Sequence, residues 1–501
     1  MRLWALYDIL IIGGGINGAG IARDAAGRGL KVLLCEKDDL ASHTSSASTK
    51  LIHGGLRYLE HYDFALVRKA LMERETLLKA APHIIWPLRF VLPHHKELRP
   101  SWFLRLGLFF YDHLGGRKLL PATKTLTRKT SKVFDPLKPH FKKGFEYSDC
   151  WVEDARLVVL NAMDAKERGA TIMTRTECLS LDPHNDHWRA QLRVDGSADM
   201  TVDAKVVINA AGPWVDHIAG QAGTRTNAPQ VRLVKGSHII VPRLFDDERS
   251  FIFQAGDDRI IFAIPYEDGR FTLIGTTDLP FEDDLNAVSA SPEEIRYLCD
   301  VTNEYFEQQI APSDVVSTYS GVRPLFEDQA ENASSVTRDY VLKVQRRDSA
   351  PMLSVIGGKI TTYRKLAEDA LKHLKDVFPD AQEQWTADIS LPGGNIPGAD
   401  FHAFEAALAE TYAWLDRNVL HRLARTYGTR AHNLLGDAKS ISDLGFDYGA
   451  GLYQKEIDYL IDQEFVRTAD DILKRRTKLG LHMTEPQISA LRDRLQDIQA
   501  A

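Results

Sequence analysis

Residues 13–18, Gly13-Gly14-Gly15-Ile16-Asn17-Gly18, carry the spacing G-x-G-x-x-G, and an acid, Glu36, stands 18 residues beyond the last glycine. These residue types in this order suit dinucleotide binding. Gly13 permits a tight turn, Gly15 lets a pyrophosphate approach the backbone, and Gly18 lets helix and strand pack closely. The helix that follows offers N–H groups and a positive dipole end to phosphate. Glu36 can accept hydrogen bonds from ribose hydroxyls. The flanks supply the context that the spacing needs. Residues 6–12 (LYDILII) read as a buried strand, Ala19 to Arg28 as a helix, and Lys31 to Cys35 as a second strand ending on Glu36. Without those flanks the same glycines would read as a turn in an ordinary α/β core.

Two further segments could touch such a ligand. Thr44, Ser45, Ser46, Ser48 and Thr49 follow Glu36 closely and lead through Lys50 and Leu51 to Gly54-Gly55. Small hydroxyl residues can bond a pyrophosphate or an isoalloxazine edge without bulk, and the glycine pair admits a flat ring; the plainer alternative is a solvated Ser-rich loop. Gly357-Gly358-Lys359-Ile360-Thr361-Thr362 is a second Gly-Gly turn entering a helix, and it carries a cation. Aimed at a flavin it would stabilise negative charge on the reduced ring; otherwise it is a surface turn. The fingerprint begins within ten residues of the N-terminus and the hydroxyl run follows at once, which favours FAD over NAD. The strand KVVINAAG, Lys205 to Gly212, ends in small residues and makes Ala211 and Gly212 a further place of close backbone approach.

Arg57, Arg323 and Arg338 each sit beside an aromatic residue or a Gly/Pro turn. Arginines that converge bind phosphate bidentately, whereas a lone one is ordinarily a surface residue. His238, inside KGSHIIV, has the setting of a core histidine, and Thr276-Thr277-Asp278 that of a turn.

Composition sets the frame. The chain has 501 residues, 44% hydrophobic and 26% charged, enough for two or three domains. A net charge of −7 gives no case for nucleic acid. Four well-separated cysteines show no metal-ligand spacing, so no metal site is expected. The immediate entry into a strand leaves no room for a signal peptide, and no apolar run is long enough to span a bilayer. Charge is uneven: residues 86–143 hold 13 Lys+Arg against 3 Asp+Glu. Within them SWFLRLGLFFYDHLGG, Ser101 to Gly116, reads as a strongly apolar helix with a narrow polar stripe. It could be a core helix, or it could lie in an interface beside anionic lipid.

The order of elements predicts an α/β fold: a discontinuous dinucleotide domain over 1–85, 145–230 and 350–390, a basic insertion over 86–144, a substrate domain with an antiparallel sheet over 231–349, and a helical C-terminal cap over 391–501.

Taken together, IIGGGINGAGIARDAAGRGL, SSASTKLIHGGLRYLEHYDF, GFEYSDCWVEDARLVVLNA, NAAGPWV, KGSHIIVPR, IGTTD, YSGVRPL, TRDY, GGKITTYRKLAE and DDILKRRTKLG resemble the aerobic, membrane-associated, FAD-dependent glycerol-3-phosphate dehydrogenases of bacteria. The resemblance covers nearly the whole chain. It implies a Rossmann-like FAD-binding domain of the D-amino-acid-oxidase/glutathione-reductase type and bound FAD, with non-covalent attachment as the default expectation, Gly13, Gly15, Gly18 and Glu36 on the ADP half and residues 44–51, Gly54, Gly55, Ala211, Gly212 and 357–362 along the flavin. It implies a substrate pocket of Arg57, Tyr58, His238, Thr276, Arg323, Arg338 and Lys359. The reaction implied is oxidation of sn-glycerol 3-phosphate to dihydroxyacetone phosphate by hydride transfer from C2 to flavin N5. His238 is expected as the base because its pKa would lie near working pH, and Arg57 and Lys359 are expected to hold the C1 and C2 oxygens. Partners implied are ubiquinone or menaquinone, an anionic membrane surface on the cytoplasmic face of the inner membrane, and a second copy in a homodimer. Departures from the family pattern, at Thr49, Ile360, Phe326 and in the segments 117–135 and 180–203, touch Thr49 and Ile360 only conservatively. The rivals are a glycerophosphate oxidase, whose extra insertion is not seen, an amine or hydroxy-acid oxidase, and a flavin-free binding module, which the intact glycines disfavour.

Overall fold

The computed structural model describes residues 6–56, 63–96, 98–116, 119–195, 197–224, 231–257, 259–327, 339–347 and 350–500. Strand β1 (Leu6–Ile12) is apolar at nearly every position, as suits a parallel strand covered on both faces. Its residues alternate accordingly. Ile9 and Ile11 pack with Ile21 and Ala22 of helix α1 (Ile16–Gly27), whereas Leu10 and Ile12 pack with Trp188 and Leu192 on the other side. Strand β2 (Val32–Cys35) pairs parallel with β1, and the strand Thr171–Met173 continues the sheet beyond it. On the other side of β1 run Met200–Asn209, Ala350–Ile356 and the edge strand Val341–Arg347. The hairpin Thr176–His184 and His187–Val194 hangs from this sheet.

The second sheet is almost wholly antiparallel and has ten strands among the described residues. Val231–Pro242, its longest strand, lies one in from an end of the sheet and pairs with Phe271–Gly275 and Ser317–Phe326. Helix α2 (Phe64–Ala80) starts on Asp63, whose carboxylate accepts from the Leu66 N–H. The chain then enters the second sheet through Ile85–His94, leaves it for α3 (Ser101–Leu114), and returns through Lys124–Thr127 and Lys143–Val152. Helix α4 (Asp154–Glu167) then packs against α1.

Two boundaries expected from the sequence therefore move. Residues 86–144, expected as a basic insertion, contribute strands to the second sheet, and residues 145–152 pair there with them. Val341–Arg347, assigned to the substrate domain, pairs antiparallel with Ala350–Ile356 at the edge of the first sheet. Sheet membership follows backbone pairing, which charge composition does not report. From residue 396 on, a separate apolar core, including Leu408, Leu423, Leu435, Leu452 and Leu460, is built entirely from helices and turns. Among the described residues no helix is long and apolar enough to cross a membrane.

Candidate functional site

The end of β1 turns sharply because Gly13 has φ +114°, and a Cβ there would press on the Ala210 carbonyl. Gly18 has no room for a side chain either: a Cβ would run into the Gly13 carbonyl oxygen. The turn is fixed from outside as well. Gly14 N–H donates to Glu36 Oε2 at 2.6 Å, Asp38 N–H donates to Glu36 Oε1 at 2.9 Å, and Ser45 Oγ accepts from Ile16 N–H at 2.9 Å. Burial pushes the Glu36 carboxyl up from its ordinary value, and the two backbone N–H donors oppose that push. Asn17 reaches across 340 residues, its Nδ2 donating to the Gly357 carbonyl at 3.1 Å. The two glycine turns thus form one structure.

They open on a cavity of about 1290 Å³, larger than the roughly 300–1,000 Å³ of ordinary small-molecule sites. Its wall includes Gly13, Gly15, Glu36, Thr44, Ser45, Ser48, Thr49, Leu51, Gly55, Ala211, Gly212, Gly357, Gly358, Lys359 and Ile360. Gly18, Ser46, Lys50, Gly54, Thr361 and Thr362 stand behind that wall. Gly54 packs on Leu71 and Tyr111, and Thr361 Oγ1 accepts from His53 N–H at 3.2 Å. Lys50 turns inward, with Nζ 2.8 Å from Asp154 Oδ1. Trp214, Cys178, Asn17 and Asp278 also line the cavity. None of them has a role legible in the sequence: Asp278 reads as part of a turn, Asn17 lies inside the glycine fingerprint, and Trp214 and Cys178 depend on crossovers that bring distant segments together.

Another stretch of the wall, the Arg323 end, carries Thr276, Arg323 and Lys359. Arg323 Nη1 donates to Asp278 Oδ1 at 2.5 Å, and its Nη2 donates to Thr276 Oγ1 at 3.2 Å. Gly236 makes this possible, because a Cβ there would meet both Arg323 and Thr276. Arg57, Tyr58 and Arg338 lie outside the described residues.

The expectation for His238 needs correction. The residue is fully buried and not part of the cavity wall. Its ring is held between Gly275, where a Cβ would collide with it, and Tyr319, stacked at 4.7 Å. Burial, then the cations Arg323 and Lys50, hold its pKa well below the ordinary histidine value. A pKa near working pH is therefore not what the fold provides. The ring reaches the cavity only through Thr49, whose Oγ1 lies 2.9 Å from His238 Nε2.

A third arm of the cavity is apolar. Phe64, Phe103, Leu106, Leu108 and Phe110 line it, most of them from α3. The same helix exposes Trp102 (69%), Phe109 (48%) and Leu106 (44%), so only part of it is core.

Comparison with known proteins agrees with this construction. The family model "FAD dependent oxidoreductase" matches residues 8–364. The chain belongs to this family. The model "C-terminal domain of alpha-glycerophosphate oxidase" matches residues 384–497. The chain is 52% identical to a glycerol-3-phosphate dehydrogenase of Pseudomonas aeruginosa, covering 96% of this chain and 93% of that one. It is 49% identical to the aerobic glycerol-3-phosphate dehydrogenase of Escherichia coli and 51% identical to the D-erythritol 1-phosphate dehydrogenase of Brucella abortus, each with 96% of both chains covered. A solved structure of glycerol-3-phosphate dehydrogenase from Bacillus halodurans, complexed with FAD, superposes with a TM-score of 0.77 at 27% identity, covering 98% of this chain and 94% of that one. The chain is an FAD-dependent oxidoreductase, and its cavity fits the cofactor. The glycine turns leave backbone exposed where a Cβ would intrude, and at Gly212, with φ +56°, a Cβ would meet nothing within 4 Å.

Proposed function

We propose that the protein oxidises sn-glycerol 3-phosphate to dihydroxyacetone phosphate and passes the electrons to a membrane quinone, ubiquinone or menaquinone. One observation carries the reading: a single cavity joins the glycine turns, the Arg323–Thr276–Lys359 end and the apolar arm along α3. Bound FAD supplies the two-electron acceptor for the C2 hydrogen. Arg323 binds the substrate phosphate, exchanging its Asp278 contact for a dianion, with Arg338 as the proposed second arginine. Binding energy from that remote group positions C2. Lys359, Thr276 and, by family resemblance, Arg57 and Tyr58 orient the C1 and C2 oxygens. The C2 hydroxyl gives its proton to Thr49 Oγ1 as Thr49 gives its own to His238 Nε2. The bound phosphate offsets the Arg323 field that depresses His238, so the base gains strength when substrate is in place.

The exposed aromatic face of α3, within the basic segment, supports peripheral contact with anionic lipid, and we place the working enzyme on the cytoplasmic face of the membrane as a homodimer. Flotation with anionic vesicles tests this, with Trp102→Glu and Phe109→Glu expected to abolish binding. A second substrate reading rests on the nearly equal identity to the D-erythritol 1-phosphate enzyme. Comparing kcat/KM for the two polyol phosphates decides between them, with a soluble quinone as acceptor and peroxide measured in parallel. A ratio above ten for glycerol 3-phosphate with little peroxide is expected. The reverse ratio would move the assignment to the four-carbon substrate, and peroxide at the turnover rate would make the protein an oxidase.

A further inference from the structure

We infer that the C-terminal segment 471–478 is a working part of the FAD site: it is the backing that holds the loop 37–51 in its cofactor-binding shape. This loop carries the hydroxyl residues of the cavity wall and begins at Glu36. It contains little regular structure and two non-glycine residues in the left-handed region, Ala41 at φ +60° and Lys50 at φ +59°. Such conformations persist where the surroundings impose them.

The surroundings here are charges from the other end of the chain. At the start of the loop Asp39, only 1% exposed, accepts from Arg476 Nη1 and Nη2 at 2.7 and 2.9 Å and from Arg475 Nε at 2.7 Å. Arg475 Nη2 continues to Asp471 Oδ1 at 2.5 Å, and Arg175 Nη2 binds both Asp471 oxygens at 2.8 and 2.7 Å. Arg175 also donates its backbone N–H to the Asp38 carbonyl at 2.8 Å, while the next residue, Thr176, donates to the Glu36 carbonyl at 2.7 Å. Two acids and three arginines from three chain segments thus close around the stretch that follows Glu36. At the far end of the loop Lys50 is held by Asp154, and the adjacent Glu153 pairs with Lys478. On its inner side the loop meets the glycine turn directly, with Ala41 N–H donating to the Gly14 carbonyl at 3.1 Å.

No described residue of 471–478 lines the cavity. These are positioning residues, acting on the cofactor through the loop. A buried ion cluster is weak evidence of added stability, but removing one member strands a buried charge, so the loop and the segment are coupled through it. A loop ordered in advance spares the cofactor the cost of ordering it. The C-terminal domain, outside the dinucleotide fold, would then set how tightly the N-terminal domain keeps FAD.

The test uses the full-length protein, stripped of FAD and reconstituted. Arg475→Gln is expected to raise the FAD Kd and the FAD release rate at least tenfold and to alter the visible circular dichroism of the bound flavin, with Arg475→Lys intermediate. The control is Arg422→Gln, which breaks a pair confined to the C-terminal domain, Arg422 Nη1 to Glu456 Oε1 at 2.7 Å. It is expected to lower the melting temperature with FAD Kd within twofold of wild type. FAD Kd unchanged in Arg475→Gln, or raised equally by Arg422→Gln for the same loss of melting temperature, would overturn the inference. The experiment needs no substrate, so its failure would leave the proposed reaction untouched.

Discussion

The Glu36 end and the Arg323 end of the cavity hold charge in opposite ways. At the Glu36 end Glu36 and the charges behind it are held by fixed partners before any ligand arrives. Glu36 is bonded by two backbone N–H groups, and behind it Asp39 and Asp471 pair with three arginines. At the Arg323 end the pairing is accessible: the Arg323 and Asp278 side chains are 31% and 23% exposed. A cofactor that stays bound is served by a mould whose parts do not exchange. A substrate that comes and goes is served by a cation whose provisional partner can be displaced. The depressed pKa of His238 belongs to the same picture, because part of it comes from cations that a phosphate would offset.

Four measurements would break or sharpen this contrast. Arg323→Met removes the exchangeable cation and leaves Asp278 facing the cavity, so kcat/KM should fall about a thousandfold while FAD remains bound. Loss of FAD in step with activity would erase the distinction between the two ends. Thr49→Val cuts the link to His238, and the rate of flavin reduction should drop about a hundredfold, with Thr49→Ser restoring most of it. A normal rate in Thr49→Val, with an unchanged pH profile, would remove Thr49 from the proton path. Glu36→Gln should weaken FAD binding about tenfold and leave turnover of the loaded fraction nearly as it was; slower turnover in fully loaded enzyme would mean that the Glu36 end takes part in the chemistry.

The smallest effect at neutral pH is also the calibrating one. His83 is buried between Gly393 and Gly428 at the seam with the C-terminal domain, and burial, aided by Arg156 and Arg425, lowers its pKa to about 3. Its folded pKa lies below the unfolded value of about 6.5. Between the two the unfolded chain binds the extra proton, so stability falls as pH drops from about 6.5 toward 3, by up to about 1.4 kcal/mol per pH unit. His83→Leu should flatten that slope whether or not substrate is present. The His238 contribution, in contrast, should shrink when substrate is bound; equal responses of the two histidines to substrate would argue against a field effect at the Arg323 end.

The two ends also differed in how far they could be read in advance. The Glu36 end was legible because one contiguous stretch of some thirty residues holds strand, turn, helix and acid at fixed spacing. The Arg323 end was legible only as residue types. Thr49, His238, Thr276, Arg323 and Lys359 come together through strand pairings such as Val234 with Arg323 and His238 with both Gly275 and Tyr319. Cross-strand neighbours decide whether a histidine faces a cavity or a tyrosine ring, and a single strand does not encode them. For α3 the sequence left core and interface open; the fold buries one part of it, with Tyr111 1% exposed, and leaves another in the open, with Trp102 69% exposed. The run DDILKRR read as part of a family resemblance. Its meaning emerged only when residues 39, 175 and 471 met.

The central claim is that this cavity brings a polyol phosphate to the flavin through a phosphate held at Arg323. Anaerobic titration of the purified, FAD-loaded protein tests it most directly. The account predicts that sn-glycerol 3-phosphate bleaches the flavin band at stoichiometric addition, that glycerol fails to do so in large excess, and that Arg323→Met loses this discrimination. Bleaching by glycerol as readily as by its phosphate would contradict it.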